Sequence, residues 1–207
     1  MRILVIGAHG TIGREIVKAL AAEHEVIGAS RSDADISVDI RDVQSIKDMY
    51  AQAGRVDAVI CAAGSGAWKP LADLTDADFA ASLGYKLMGQ VNVIRYGFEH
   101  VTDGGSITTT SGVLSQRPQE SSAAISLVNS GLEGFTRAAA LEAPRGIRVN
   151  VVSPPWVTET LIEMGADTSH GLPAAVVAQA YVRSATGNDT GQVIVPAAIP
   201  PRAGFTQ

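Results

Sequence analysis

The chain has 207 residues, 46% hydrophobic and 18% charged, with 16 Lys and Arg against 21 Asp and Glu for a net charge of −5. That is the length of one domain, with enough apolar material for a core and too little charge for disorder. The acidic balance argues against nucleic-acid binding, and the single cysteine, Cys61, excludes a disulfide framework and any multi-cysteine metal site.

In chain order, Ile3 to Ile6 is a continuous apolar run, the pattern of a strand buried on both faces. His9 and Gly10 interrupt it too early for a signal peptide, and no stretch reaches the ~18 apolar residues of a membrane span. We therefore expect a cytoplasmic protein with neither membrane nor nucleic-acid partner. Ile12, Ile16, Val17 and Leu20 follow at helical spacing, then a strand from Glu25 to Ala29 and a short third strand over 36–40. Val43, Ile46 and Met49 mark a helix, and Val56 to Cys61 a strand. Residues 75–102 read as one long helix or two consecutive ones. Ser106 to Thr110 is β-branched, Ser121 to Ala143 is a long helix rich in Ala and Ser, and Arg148 to Val152 and Gln192 to Val195 are the last strands. This alternation predicts an α/β fold: a single-domain Rossmann-like doubly wound parallel sheet of about seven strands with helices on both faces. The domain spans 1–195, with a substrate flap at 157–175 where Gly, Pro and Thr break the rhythm. Residues 196–207 read as an extended tail.

The junction of the first strand and helix carries Gly7, Gly10 and Gly13. Gly7 permits a tight turn, Gly10 a close approach of the backbone to a pyrophosphate, and Gly13 close packing of helix on strand. His9, Thr11 and Ile12 complete a loop whose helix N-terminus attracts an anion. At the end of the second strand, Ser30, Arg31 and Ser32 stand where an NAD-selective fold places an acid. A guanidinium between two hydroxyls suits a 2′-phosphate, so NADP(H) is the expected cofactor. Asp39, before Ile40, accepts from the adenine amino group or caps the helix starting near Arg41.

These segments resemble the short-chain dehydrogenase/reductase family over nearly the whole chain. The glycine loop 7–13 carries the likeness, with Thr11 where many members have glycine. So do Cys61-Ala62-Ala63-Gly64 after the fourth strand, Gly105 to Ser111 as the fifth, Arg148 to Pro154 before the nicotinamide, and Thr190-Gly191-Gln192. The resemblance implies cofactor contacts from Ala62, Ala63, Gly64, Asn129, Pro154 and Val157. It also implies a homo-oligomer, dimer or tetramer, and an oxidoreductase acting on a small carbonyl, enone or alcohol.

The family's proton chemistry maps less simply. Its serine, its Tyr-x-x-x-Lys and its helix asparagine fall here on Gly112, with Ser111 one residue before, on Ile125 and Asn129, and on Lys86. The tyrosine is absent, and lysine and asparagine have exchanged helices. Ile125 carries no proton. Lys86, Ser111 and Asn129 are therefore the expected catalytic residues, with Lys86 a proton donor, an oxyanion stabiliser or a structural lysine. The alternative reading is a non-catalytic NADP(H) sensor or scaffold. Trp156 walls the substrate pocket or anchors the flap, and no histidine spacing suggests a metal.

Overall fold

The computed structural model describes residues 1–196. Seven strands form one wholly parallel sheet in the order β3-β2-β1-β4-β5-β6-β7. They are β1 (Arg2–Ile6), β2 (Glu25–Ser30), β3 (Ile36–Ser37), β4 (Val56–Cys61), β5 (Val101–Thr110), β6 (Arg148–Val152) and β7 (Val193–Ile194). The helices are α1 (Thr11–Leu20), α2 (Val43–Ala53), α3 (Asp76–Ser82), α4 (Gly89–Gly97), α5 (Ala123–Glu142), α6 (Thr158–Glu163) and α7 (Ala174–Thr186). The strand order reverses at β1 and β4, so the two halves wind outward from a central crevice, where open α/β sheets bind ligands.

Because parallel strands are covered on both faces, their residues feed two cores. Leu4, Ile6, Val59 and Ile107 point into one with Ile46, Met49 and Tyr50 of α2. Ile3, Val5 and Ile60 point into the other with Ile16 and Leu20 of α1 and Val177 and Tyr181 of α7. Tyr50 is fully buried and its hydroxyl donates to the Val93 carbonyl at 2.7 Å, which satisfies its one polar atom.

The third strand is shorter than expected, because only Ile36 and Ser37 pair with β2 before the chain turns toward α2. Asp42 caps α2, its side chain accepting from the Gln44 N–H. That overturns the capping role considered for Asp39. The stretch 75–102 is α3, then a wider-wound turn over Leu83–Met88, then α4, and its last two residues already belong to β5. The segment expected as a flap is not irregular throughout. It carries α6, a parallel bridge between Val157 and Leu172, and Glu159 accepting from the Ala174 N–H at the start of α7. The expected tail lies outside the described residues beyond Pro196. Among the described residues, no helix is long and apolar enough to cross a membrane.

Candidate functional site

At the C-terminal ends of β1, β2 and β4 the chain must turn sharply. Gly7 does so with φ +83°, and a Cβ there would lie 3.0 Å from the Ala62 and Ala63 backbone. Gly13 sits directly beneath, where a Cβ would lie 1.9 Å from the Gly7 carbonyl oxygen. The two glycines therefore press the first turn of α1 against the end of the strand. Gly10 precedes that turn and has no side chain to cap it, and Arg14 is the first residue whose N–H bonds back, to the Gly10 carbonyl at 3.0 Å. The N–H groups of Thr11, Ile12 and Gly13 are left to a ligand or water. α1 carries no acidic residue in its first turn to satisfy them.

This turn opens on a groove of about 880 Å³. Twelve of the residues expected to bind cofactor border it: Gly7, His9, Gly10 and Thr11 on the loop, Ser30, Arg31 and Ser32 after β2, Asp39 and Ile40, and Ala62 to Gly64 after β4. Ile12 and Gly13 do not. The Ile12 side chain packs into the α1–α7 core and Gly13 is buried under the turn. Arg31 is exposed and makes no hydrogen bond or ion pair among the described residues. Ser30 Oγ lies 3.5 Å from His9 Nδ1. The Arg41 guanidinium holds the Asp39 carboxyl below its ordinary range, and the Arg31 charge adds to the effect.

A second cluster lies over the ends of β5 and β6. The helix between α3 and α4 widens at Leu83–Met88, where the Gly89 N–H reaches back five residues to Gly84. Lys86 lies on this turn and is buried, its Nζ 3.2 Å from the carbonyls of both Thr110 and Ser111. Burial depresses its pKa to about 8. The next carbonyl along, that of Gly112, accepts from Asn129 Nδ2 at 3.3 Å. Asn129 is 1% exposed and its Oδ1 has no partner. Lysine and asparagine thus meet on consecutive carbonyls of one strand end, although they come from different helices. Gly64 joins the two clusters, since a Cβ there would lie 3.2 Å from Lys86 Cα.

Ser111 is differently engaged. Its hydroxyl donates to Glu133 Oε1 at 2.9 Å, and Ser115 donates to the same oxygen at 2.6 Å. Glu133 is 4% exposed, and sequence reasoning missed it because an acid in a helix ordinarily reads as solvated. The available signal was its place four residues after Asn129, on the same helix face. Arg41, Tyr85 and Glu163 also border the groove and had no such signal, since they come together only through the fold.

Lys86, Ser111, Asn129, Pro154 and Val157 do not border the 880 Å³ groove. Pro154 is buried, its carbonyl accepting from the Val113 N–H at 2.9 Å. Val157 is buried and its carbonyl is taken by Leu161. Trp156 meets Trp68 edge to face with ring centroids 5.4 Å apart. Ile125 packs beside Gly66, at 3.3 Å from a Cβ placed there. The cluster therefore combines the buried Lys86, the buried Glu133 with its two serine donors, and the unpaired Asn129 Oδ1.

Residues 4–203 match the family model described as enoyl-(acyl carrier protein) reductase. Among solved structures, the Listeria innocua protein lin1944 is 38% identical, covers 94% of this chain and 98% of its own, and superposes with a TM-score of 0.91. A small-chain dehydrogenase in complex with NADPH is 28% identical, covering 94% of this chain and 95% of its own with a TM-score of 0.84. A Mycobacterium tuberculosis reductase of a hydroxy-methyl-oxo-hexahydroindene-carboxyl-CoA is 28% identical over 80% of this chain. The chain spans about two thirds and about half of the length of the first two curated relatives it matches, 65% and 52%.

Proposed function

The chain belongs to the short-chain dehydrogenase/reductase family, and from that membership we propose that it is an NADP(H)-dependent oxidoreductase acting on a small carbonyl, enone or alcohol through a proton donor other than tyrosine. The observation that carries the reading is the groove: it is bordered by the start of α1, whose first N–H groups have no intrahelical partner, and by the Arg31 guanidinium, unpaired among the described residues. Those features fit a diphosphate and a 2′-phosphate respectively. The relative solved with NADPH supports the choice of cofactor. Asn129 Oδ1, buried without a donor, suits a ribose hydroxyl, and by the family resemblance Pro154 and Val157 would flank the nicotinamide. When bound, the nicotinamide supplies or accepts the hydride. Lys86 would present its ammonium to the developing oxyanion while donating to the Thr110 and Ser111 carbonyls. Ser111 serves as a positioning residue, because its proton is already given to Glu133.

Titration of the protein with NADPH and NADH, followed by nicotinamide fluorescence, tests the cofactor. Arg31→Ala is expected to weaken NADPH about tenfold to a hundredfold, the worth of a charge-assisted hydrogen bond, and to leave NADH unchanged. Equal loss for both dinucleotides would remove the 2′-phosphate assignment.

A second reading has a specific observation behind it. With Ile125 in place of an acid and the Ser111 hydroxyl committed to Glu133, the fold also suits a non-catalytic NADP(H) sensor or scaffold. Tight NADPH binding without consumption across a carbonyl and enone panel would select it. We further propose a homo-oligomer built on α5, which exposes Leu127 and Leu141 at 48% and 89%. Sedimentation velocity should show a dimer or tetramer that Leu127→Glu dissociates, and a monomeric wild type would end that assignment.

A further inference from the structure

Lys86 and Glu133 are the only charged side chains among the described residues that are buried, at 6% and 4% exposure. Both are bonded to the same residue. Ser111 gives its hydroxyl proton to Glu133 Oε1 at 2.9 Å, and its carbonyl accepts from Lys86 Nζ at 3.2 Å. Glu133 has no ion pair among the described residues, and a buried carboxylate is costly unless its hydrogen bonds are made. Its donors are two serines, Ser111 and Ser115, the second at 2.6 Å. They stand on either side of Gly112, in the turn that leaves β5. That turn lies so close to α5 that a Cβ on Gly112 would be 3.0 Å from Asn129 Nδ2. Asn129 and Glu133 are one helical turn apart on α5 and grip the same stretch, Asn129 by the Gly112 carbonyl and Glu133 by the hydroxyls flanking it.

On the reading of Lys86 as the proton donor, we propose that Glu133 is the positioning residue for its ammonium: by holding Ser111 and Ser115 it fixes the direction of the strand-end carbonyls on which Lys86 rests. Glu133 makes no bond to Lys86 and does not border the 880 Å³ groove, so it acts through Ser111. An ammonium shared between two carbonyls is aimed by both of them. The Thr110 carbonyl is also tied by Gln90 Nε2 at 2.8 Å. Ser111 lies one residue past the last ladder pair of β5, Thr110 with Val152, so the turn and not the sheet orients its carbonyl. Glu133 is the side chain that holds this turn from both ends.

Three variants separate position from charge: Glu133→Ala, Glu133→Gln and Ser111→Ala. Glutamine keeps an acceptor oxygen for both serines and drops the charge, so its kcat is expected within about threefold of the wild type. Glu133→Ala and Ser111→Ala are expected to lose about 10²-fold in kcat, the cost of an ångström of misplacement, with KM for the carbonyl substrate little changed. A hold that served only the fold would lower the melting temperature and leave kcat of the folded protein alone. Wild-type kcat in either alanine variant overturns the proposal, and so does a glutamine variant as slow as Glu133→Ala. Peptide-resolved acetylation by acetic anhydride reads the same hold without a substrate. Lys86 is expected to label about tenfold faster, relative to the exposed Lys18, in Glu133→Ala than in the wild type or in Glu133→Gln. Unchanged labelling in Glu133→Ala overturns the positioning role by itself. If the wild type consumes no NADPH with any carbonyl or enone while the labelling difference appears, the oxidoreductase reading fails and the hold of Glu133 on Lys86 stands.

Discussion

Replacing Lys86 with methionine is expected to lower kcat by about 10²- to 10⁴-fold, the range for loss of a positioned proton donor, while NADPH still binds. The same replacement should not lower the melting temperature. Lys86 is 6% exposed, and its pKa falls from 10.5 to about 8 because burial penalises the charge. That shift corresponds to about 3 kcal/mol by which the folded state disfavours the ammonium relative to the unfolded chain. Between pH 8 and 10.5 the unfolded chain binds more protons than the folded one, so the contribution of Lys86 makes stability rise with pH across that window. Below pH 8 the cost of the buried charge is present in full, and methionine removes it. Some of the gain is offset by the two carbonyls that lose a donor, although Thr110 keeps Gln90 Nε2 at 2.8 Å. Activity has the opposite slope. If Lys86 donates as the ammonium, the reductive rate is high on the acid side and falls as pH rises through about 8. Wild-type turnover in Lys86→Met, or a reductive pH profile flat from 7 to 9.5, would assign Lys86 a purely structural place.

Gly13→Ala is expected to be the most damaging small substitution in the chain. The added methyl would sit 1.9 Å from the Gly7 carbonyl oxygen, and its next neighbours are also backbone atoms, so nothing flexible is there to yield. Either α1 lifts from the sheet or the turn at Gly7 reshapes. Overpacking of this kind costs about 1–3 kcal/mol and sometimes more, and here it also displaces the unpaired N–H groups of the first turn of α1. Loss of both stability and NADPH binding is expected, measured by urea melts and by fluorescence titration. Gly10→Ala serves as the control. Its φ is −71°, and the methyl would lie 3.3 Å from the Gly7 oxygen, a tight contact but far looser than at Gly13, so the loss of stability should be much smaller. Binding should still weaken, because the methyl occupies backbone surface that borders the groove. A Gly13→Ala protein that melts and binds like the wild type would contradict the close contact described between turn and helix.

Much of this was legible before the fold was known, for identifiable reasons. Strands buried on both faces leave continuous apolar runs, which is why Ile3 to Ile6 and Val56 to Cys61 were found in place. The glycine turn before α1 was legible because glycine is obligatory where two pieces of backbone touch, as at Gly7 and Gly13. The family resemblance implied that Lys86 and Asn129 have exchanged helices, but gave no sign of the carbonyls of Thr110, Ser111 and Gly112 on which they converge. Three features left no trace. The Arg41 guanidinium over the Tyr85 ring joins residues from different elements. The Ser111–Glu133 bond redirects a hydroxyl that the sequence offers as free. Pairing of β3 stops after two residues because the chain turns away, although apolar residues continue through Val38 and Ile40.

The widened turn at Leu83–Met88 has a bearing on how such a lysine is acquired. One surplus residue in a helix turns everything before it by about 100° relative to everything after it. A Cβ added at Gly84 would meet nothing within 4 Å, so a side chain is tolerated at that point. A single codon gained or lost there would re-aim the side chain at position 86 relative to α3. Homologous chains aligned only by residue type across this stretch can share a lysine and still not share a reactive ammonium.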